Sequence, residues 1–234
     1  LPPETAAPAQ AAAKAATGFW LQLGAFAQRD GALSFQQRVA TEAAWLAPQL
    51  ATKFSVTADK PDVWGADNIY RLYTQVKRSF IRVEADEVTY PAHIILRYRL
   101  ERALIEGSLA VKDLPGAWNE EMKKLLGIVP PDDRLGCLQD IHWPDGAFGY
   151  FPTYTLGALA AAQFFDAATK QIPEIVPGLA QGNFVPLLSW LKKNVHAWGS
   201  RFSTDEILTK ATGRPLGTEV FKRHLARRYL ERAD

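Results

Sequence analysis

The stretch from Gln139 to Tyr154 groups residues that could do chemistry. Its polar side chains comprise two carboxylates, one imidazole and two phenols: Asp140, Asp145, His142, Tyr150 and Tyr154. A histidine can donate or accept a proton near neutral pH, and a tyrosine hydroxyl can donate a hydrogen bond to a developing oxyanion. These residue types fit a catalytic loop. They fit equally well an aromatic turn whose polar groups satisfy one another.

Glycines and prolines between these residues predict a loop held in one shape. Gly146 and Gly149 can adopt a positive φ or allow a backbone or a ligand to approach closely, while Pro144 and Pro152 restrict the turns around them. The stretch has neither the helical nor the alternating apolar pattern, so a helix is expected to begin only near residues 153–155. Such loops often carry binding and catalytic residues.

A second polar set lies on the longest predicted helix, which runs from about Asp86 to Glu106. Four polar residues on this helix occur at spacings that place them on one face: Asp86, Tyr90, His93 and Arg97. Such a face lines either solvent or a cleft, and the presence of a tyrosine and a histidine favours the cleft. Pro91 indicates that the helix begins nearer Thr89 or bends there.

The elements that must position these residues are predicted to be helices. Apolar spacing predicts helical segments at residues 18–53 (one or two helices), 68–76, 117–126, 156–168, 184–198, 204–212 and 217–230. No segment alternates for long in the manner of a strand. Residues 1–17 are rich in alanine and proline and predict a flexible arm, and residues 18–234 predict a single helical domain. The predicted fold class is all-α.

The composition excludes several classes of protein. Its 47% hydrophobic and 22% charged residues are typical of a globular protein and not of a disordered one. A formal net charge of +2 gives no reason to expect nucleic acid or an anionic membrane as the main partner. Cys137 is the single cysteine, which excludes an internal disulfide and a cysteine-based zinc site and favours a cytoplasmic location. No apolar run predicts a membrane span, and the residues after Leu1 lack the basic region of a signal peptide.

Two motifs in this sequence resemble those of one peptidase family. The loop contains Gln139-Asp-Ile-His-Trp143 followed by Gly149-Tyr-Phe-Pro-Thr-Tyr154, and an earlier segment reads Ile81-Arg-Val-Glu-Ala-Asp-Glu87. Both are similar to signatures of the carboxypeptidase Taq family of zinc metallocarboxypeptidases. The likeness extends from about Leu46 to the C-terminus. It implies a multi-helix bundle that forms one side of a peptide-binding groove.

The resemblance also implies roles for four residues. Arg82 would bind the C-terminal carboxylate of a peptide, because a guanidinium group can bind two oxygens at once. His142 and Tyr154 would face the scissile carbonyl and donate hydrogen bonds to the oxyanion, while Tyr150 would line the groove. The alternative for Arg82 is an ion pair with Asp86 one helical turn away, and for the other three residues it is packing.

The zinc-binding motif of that family is missing from this sequence. The motif H-E-x-x-H needs two histidines one helical turn apart, with the glutamate between them as general base. No two of the four histidines lie within ten residues of each other: His93, His142, His196 and His224. At the position of the family's third ligand, in a His-Glu-Ser-Gln motif, the sequence reads Ala27-Gln28. The resemblance therefore implies zinc in the complete family enzyme and no metal ligands in this chain.

Three functions remain open from the sequence. The first is the C-terminal portion of a zinc metallocarboxypeptidase, which removes single residues from peptide C-termini and is inactive alone. The second is a catalytically inactive relative that acts as a peptide-binding or interaction module. The third is a structural helical module, which is favoured if Arg82, His142 and Tyr154 are buried and mutually satisfied. The partners implied by the resemblance are peptide C-termini, the missing N-terminal half and a second copy in a homodimer.

Overall fold

A computed structural model describes residues 66–230 of the chain. The predicted arm at residues 1–17, the helices predicted between residues 18 and 53, and Ala27-Gln28 all lie outside the described residues. Among residues 66–230 every regular element is a helix, which confirms the all-α prediction for this part of the chain.

The described residues form eight α-helices. They are α1 (Ala66–Tyr73), α2 (Tyr90–Ile105), α3 (Leu114–Leu126), α4 (Pro152–Gln171), α5 (Ile175–Ala180), α6 (Val185–Asn194), α7 (Thr204–Thr212) and α8 (Glu219–Tyr229). Three 3-10 helices occur at Arg82–Glu84, Val111–Asp113 and His196–Trp198. No helix in residues 66–230 is both long and apolar enough to cross a membrane.

Helix α2 begins four residues later than the sequence indicated, at Tyr90 instead of Asp86. Asp86 lies before the helix, where its Oδ1 atom accepts hydrogen bonds from the backbone N–H groups of Val88 and Thr89, each at 2.9 Å. These N–H groups would otherwise lack partners at the start of the helix. Pro91 occupies the first turn, where its fixed φ and missing N–H group have no cost. The proline therefore marks a helix start and not a bend.

Local capping explains two other helix boundaries. Helix α7 begins after Ser203, whose hydroxyl accepts from the Glu206 backbone while the Glu206 side chain accepts from the Ser203 backbone. This reciprocal arrangement is a capping box. Helix α3 begins at Leu114, three residues before the predicted start, because Pro115 is tolerated in a first turn. It ends at Gly127, whose φ of 71° is the left-handed conformation that glycine adopts without strain.

Helix α4 is the central element of the described fold. It packs against α2 on one side and against α7 and α8 on the other. Its buried residues are mostly small, including Ala158, Ala162 and Ala168, so neighbouring helices can approach its backbone closely. The helix predicted at residues 156–168 lies within α4.

Three apolar clusters hold the described helices together. One lies between α4 and α8 and contains Ala158, Leu159, Ala162, Val220 and Phe221. The cluster between α2 and α3 contains Leu96, Leu100, Trp118, Met122 and Leu126. The cluster between α4, α5, α6 and α7 contains Ala168, Ile175, Leu179, Leu187, Trp190 and Ala211. The loop that carries the polar residues lies in sequence between α3 and α4, so its two ends are anchored on these clusters.

Candidate active site

Asp140 connects the loop before α4 to two arginines from other parts of the fold. Its Oδ1 atom accepts hydrogen bonds from Nε and Nη2 of Arg82, at 3.0 and 2.7 Å. Its Oδ2 atom accepts from Nε of Arg97, on α2, at 2.6 Å. Arg82 also donates through Nη1 to the Tyr90 hydroxyl at 2.8 Å. One carboxylate thus fixes the 3-10 helix, α2 and the loop relative to one another.

Gln139 makes a second link between the same three segments. Its side-chain oxygen accepts from the backbone N–H of Arg82 at 2.9 Å and from Nη2 of Arg97 at 2.7 Å. Its side-chain nitrogen donates to the Phe80 carbonyl at 3.0 Å. Because adjacent residues 139 and 140 both bind both arginines, the backbone of the loop cannot shift here without breaking several hydrogen bonds.

Burial and charge set the protonation of this network. Burial by itself would raise the pKa of Asp140, but the charges and hydrogen bonds of Arg97 and Arg82 outweigh it and hold the pKa below its ordinary value. Burial lowers the pKa of Arg97 to about 10, an effect that Asp140 only partly offsets. Burial acts to lower the pKa of Arg82, but the hydrogen bonds that Arg82 donates to Asp140 and the nearby charges together outweigh burial, and the net shift is upward. All three groups are charged at neutral pH.

His142 and Tyr154 form a hydrogen-bonded pair beside this network. The His142 Nε2 atom lies 2.7 Å from the Tyr154 hydroxyl oxygen, and its ring stacks on Phe151 with centroids 4.4 Å apart. The other ring nitrogen, Nδ1, lies 3.8 Å from Oδ1 of Asp140. The Arg82 guanidinium lies over the Tyr154 ring at 4.7 Å, within the range of a cation–π contact. The predicted catalytic pair is therefore brought together, in contact with Arg82.

The Glu101 side chain, on α2, binds two residues of the loop before α4. One of its carboxylate oxygens accepts from Nε1 of Trp143 at 2.7 Å, and the other accepts from the backbone N–H of Gly149 at 2.6 Å. Gly149 and Gly146 adopt φ values of 76° and 75°, as their predicted role in a tight loop requires. Charge-assisted hydrogen bonds of this kind rigidify a loop that has no regular structure.

The four residues that the sequence singled out differ in exposure. Arg82 is 5% exposed, whereas Tyr150 is 41% exposed and His142 and Tyr154 are intermediate. Tyr150 packs beside both of these residues, with each pair of ring centroids 5.7 Å apart. The site therefore consists of a buried guanidinium group, that of Arg82, and a partly exposed surface of aromatic rings.

Two expectations about this region are wrong. Arg82 does not pair with Asp86, because the Asp86 carboxylate is used by backbone N–H groups at the start of α2 and Arg82 binds Asp140 instead. The polar face of α2 lines neither solvent nor an open cleft along its length, because His93 and Arg97 are fully buried. This face is where α2 contacts the loop.

Comparison with known proteins identifies the family of this chain. Residues 36–229 match the model of the Carboxypeptidase Taq (M32) metallopeptidase family. The match covers more than half of the chain. The chain belongs to this family. The matched region begins before Leu46, so the family likeness extends further toward the N-terminus than the motifs alone indicated.

Two curated relatives of the carboxypeptidase Taq family share much of this sequence. Thermostable carboxypeptidase 1 from Pyrococcus furiosus is 44% identical over 164 residues, which are 70% of this chain and 33% of the relative. Thermostable carboxypeptidase 1 from Thermus thermophilus is 47% identical over 154 residues, which are 66% of this chain and 30% of the relative. The chain thus spans about a third of the length of the curated relatives it matches.

A solved structure from the carboxypeptidase Taq family agrees with the fold. Trypanosoma cruzi metallocarboxypeptidase 1 superposes with a TM-score of 0.78 and 37% identity. The superposition covers 83% of this chain and 40% of that structure. The all-α fold and the family assignment therefore rest on both sequence and structure.

The sequence did not reveal the contacts that hold the carboxypeptidase Taq motifs in place. Asp140 and Gln139 belong to the motif itself, so their nearness to His142 was visible but their partners were not. Arg97 and Glu101 were the harder cases, because they lie on α2 and bind a loop more than 40 positions away. The only signal was their spacing of four residues on one helical face.

The described residues do not fit a metal ion. Among residues 66–230 no three histidine, cysteine, aspartate or glutamate side chains lie close enough to hold one. Burial, and then the positive charges of Arg97 and Arg82, lower the pKa of His93. The same charges would repel a divalent cation at this residue. No chemical step is therefore assigned to a metal held by this part of the chain.

Proposed function

We propose that this chain forms the substrate-binding side of a metallocarboxypeptidase that removes single residues from peptide C-termini. The observation that carries the proposal is the hydrogen-bonded pair of His142 and Tyr154, partly exposed above the Arg82–Asp140 ion pair. Family membership supports it, because both residues belong to the loop motif of carboxypeptidase Taq enzymes. In this proposal the metal ligands come from outside residues 66–230.

The proposed task of Tyr154 is to donate a hydrogen bond to the substrate carbonyl oxygen as negative charge develops there. A tyrosine hydroxyl has one hydrogen. If Nε2 of His142 carries a proton, it donates to the Tyr154 oxygen and leaves the hydroxyl hydrogen for the substrate. The 2.7 Å separation lets the imidazole hold the hydroxyl in place. A donor fixed in advance stabilises an oxyanion without reorganising during the reaction.

The proposed task of Arg82 is recognition of the free carboxylate at the peptide C-terminus. Its guanidinium group has five N–H donors, and the contacts with Asp140 and Tyr90 among the described residues use three of them. The two N–H groups that remain can donate hydrogen bonds to a carboxylate. Because the Arg82 side chain is buried, its alternative role is to hold Tyr154 and Asp140 in position. Tyr150 would line the groove through its exposed ring.

Peptide binding by the purified chain tests these assignments. A peptide with a free C-terminal carboxylate should bind more tightly than the same peptide with a C-terminal amide, as measured by calorimetry. Arg82→Lys keeps the positive charge but cannot donate two parallel hydrogen bonds. It should weaken binding of the peptide acid about tenfold and leave binding of the peptide amide nearly unchanged. Equal losses for acid and amide would leave Arg82 as a positioning residue only.

A Tyr154→Phe variant serves as the matched control in that experiment. Its missing hydroxyl should change peptide binding little, because the proposed hydrogen bond strengthens only in the transition state. Failure of the wild-type chain to bind either peptide would refute a preformed groove in this chain. Peptide binding without any turnover under metal supplementation would favour the second function, an interaction module without chemistry.

Three further features of the chain are proposals by family likeness. Zinc is the metal we expect in the complete enzyme, because the family is one of metallopeptidases. A homodimer and a cytoplasmic location are likewise proposals.

A further inference from the structure

A cluster of positive charge lies between α4, α7 and α8. Four exposed cationic side chains surround a single carboxylate, Asp166: Lys170, Arg214, Arg223 and Arg227. The local excess of positive charge is therefore larger than the formal net charge of +2 of the whole chain. Such an excess in one concave place attracts anions.

Asp166 neutralises only part of this charge. Its Oδ2 atom forms a close ion pair with Nζ of Lys170 at 2.7 Å, one helical turn away. The guanidinium groups of Arg214 and Arg223 lie farther off, at 3.6 and 3.5 Å from the carboxylate. No ion pair of Arg227 with a carboxylate occurs within residues 66–230. One carboxylate cannot satisfy four cations, so donors remain for a ligand.

The loop that carries Arg214 is fixed by a buried amide. Gln163, on α4, is 1% exposed. Its side-chain oxygen accepts from the backbone N–H of Gly217 at 2.7 Å, and its side-chain nitrogen donates to the Pro215 carbonyl at 3.1 Å. The hydroxyl of Thr212 donates to the Arg214 carbonyl at 3.1 Å. The cationic loop is therefore held in one conformation before any ligand binds, which lowers the entropic cost of binding.

Two neighbouring depressions meet at this cluster. They have volumes of about 710 and 330 Å³ and share Asp166, Arg223 and Arg227 in their walls. Both volumes fall within the range of small-molecule sites. The larger depression has a polar, cationic lining, whereas the smaller one adds the apolar and aromatic side chains of Tyr70 and Phe165.

We propose that these two depressions form a binding site for a compact phosphate polyanion, either inorganic triphosphate or the phosphate chain of a nucleotide. Arginine forks match phosphate oxygens in pairs, and lysine adds a point charge. Arg214, Arg223, Arg227 and Lys170 bind the phosphate chain in the larger depression. A nucleotide base, where present, occupies the smaller depression against Tyr70 and Phe165. The site lies on α4, α7 and α8, away from the His142–Tyr154 pair, and does not rest on the proposed peptidase function.

Calorimetric titration of the 234-residue chain with sodium triphosphate tests the proposal. Saturable binding of one equivalent, weakened as the salt concentration rises, is the expected result. Arg227→Gln should reduce the affinity about tenfold, because it removes a charge-assisted contact. Lys170→Gln is the second variant and should act in the same direction. Arg102→Gln is the matched control and should leave the affinity unchanged, since this exposed arginine lies on α2 and pairs with Glu106.

Parallel titrations with a nucleoside triphosphate identify the source of the phosphate chain. Tighter binding of the nucleotide than of triphosphate, lost in a Phe165→Ala variant, assigns the smaller depression to the base. Equal affinities assign the site to the inorganic anion. Absence of saturable triphosphate binding, or an equal loss of affinity in Arg102→Gln and Arg227→Gln, would overturn the proposal.

Discussion

Asp140 is the residue on which the geometry of the candidate active site depends most directly. It is the carboxylate between two buried guanidinium groups, and its side chain is 10% exposed. Removing one partner of a buried ion network leaves the remaining charge without compensation, which costs more than the network gains when intact. The consequences of changing this residue should therefore be large.

We predict that Asp140→Asn lowers the free energy of unfolding by about 3 kcal/mol, because Arg82 and Arg97 lose their shared counter-charge. Urea denaturation followed by circular dichroism measures this change. Asp145→Asn is the matched control, because Asp145 is exposed in the same loop and should change stability by less than about 0.5 kcal/mol. A loss in Asp140→Asn as small as in the control would mean that the ion network contributes nothing to stability.

His93 is the buried residue of the site whose effect on stability depends most clearly on pH. It is 0% exposed, and neither ring nitrogen is hydrogen-bonded to any of the described residues. Burial, followed by the charges of Arg97 and Arg82, lowers its pKa from 6.5 to about 4. Between these two values the unfolded chain binds a proton that the folded chain does not. Stability from this residue is therefore intact above pH 6.5 and falls as the pH drops toward 4.

We predict that replacing His93 removes part of the pH dependence of stability. In the wild type, the free energy of unfolding should fall by about 2 kcal/mol through His93 between about pH 7.5 and about pH 5. His93→Leu and His93→Gln should both lack this contribution, whatever their stability at pH 7.5. Urea denaturation at the two pH values measures the difference. Wild-type and variant chains with the same pH dependence would show that folding does not change the pKa of His93.

The sequence could indicate which residues of the site matter, but not which residues they bind. The motif containing Arg82 and Asp86 offered a partner four positions away, whereas the observed partner Asp140 is 58 positions away. A local rule cannot anticipate a contact that depends on how α2 and the loop pack. The resemblance implied that His142 and Tyr154 belong to one site, but not their hydrogen bond to each other, because their spacing of 12 residues spans a loop and a helix start.

At the scale of elements, helix starts and stops were predictable where a single residue type dictates them. Ser203 and Gly127 mark their boundaries through capping and a left-handed conformation. Helix α5 was not predicted, because Pro177 and Gly178 interrupt its apolar pattern. The structure tolerates both residues there because the helix is one turn and a half long and is held by the buried side chains of Ile175 and Leu179.

Glu87 links the segment just before α2 to α8, the last helix of the described residues. Its side chain is 0% exposed and lies 2.7 Å from Nε2 of His224, 3.1 Å from the Tyr229 hydroxyl and 3.6 Å from Nε of Arg228. Glu87 directly follows Asp86, which caps α2. The position of α8 is thereby coupled to the start of the helix that carries Tyr90 and Arg97.

We predict that Glu87→Gln loosens α8 before it affects the rest of the fold. The change removes the counter-charge of the buried Arg228, so the amide hydrogens of residues 219–229 should exchange with solvent at least about tenfold faster. Hydrogen exchange measured by mass spectrometry tests this, with α7 as the internal reference. Glu84→Gln is the control, because Glu84 is exposed in the 3-10 helix and forms no ion pair in the described part of the chain. Uniform acceleration across all helices would instead indicate global destabilisation.

At the scale of the whole molecule, the family assignment predicts a metal site, whereas the described residues contain no set of metal-binding side chains. The chain belongs to a family of metallopeptidases, yet its sequence contains no H-E-x-x-H motif and its described residues contain no group of three metal-binding side chains. The residues of the two motifs nevertheless contact one another through hydrogen bonds. The proposed substrate side therefore requires metal ligands from outside residues 66–230.

We therefore predict that the purified 234-residue chain binds no stoichiometric zinc and does not hydrolyse peptides, with or without added zinc or cobalt. Its histidines are too far apart in sequence to bind as a helical pair, and the one at the centre of the site is surrounded by guanidinium groups. Elemental analysis after dialysis, with a carboxypeptidase assay in parallel, measures both properties. Peptide binding by the same sample, with a preference for the free carboxylate, would then show that the substrate side is formed without the metal. Stoichiometric metal accompanied by turnover would contradict the prediction and make His93 and His142 the first ligands to replace.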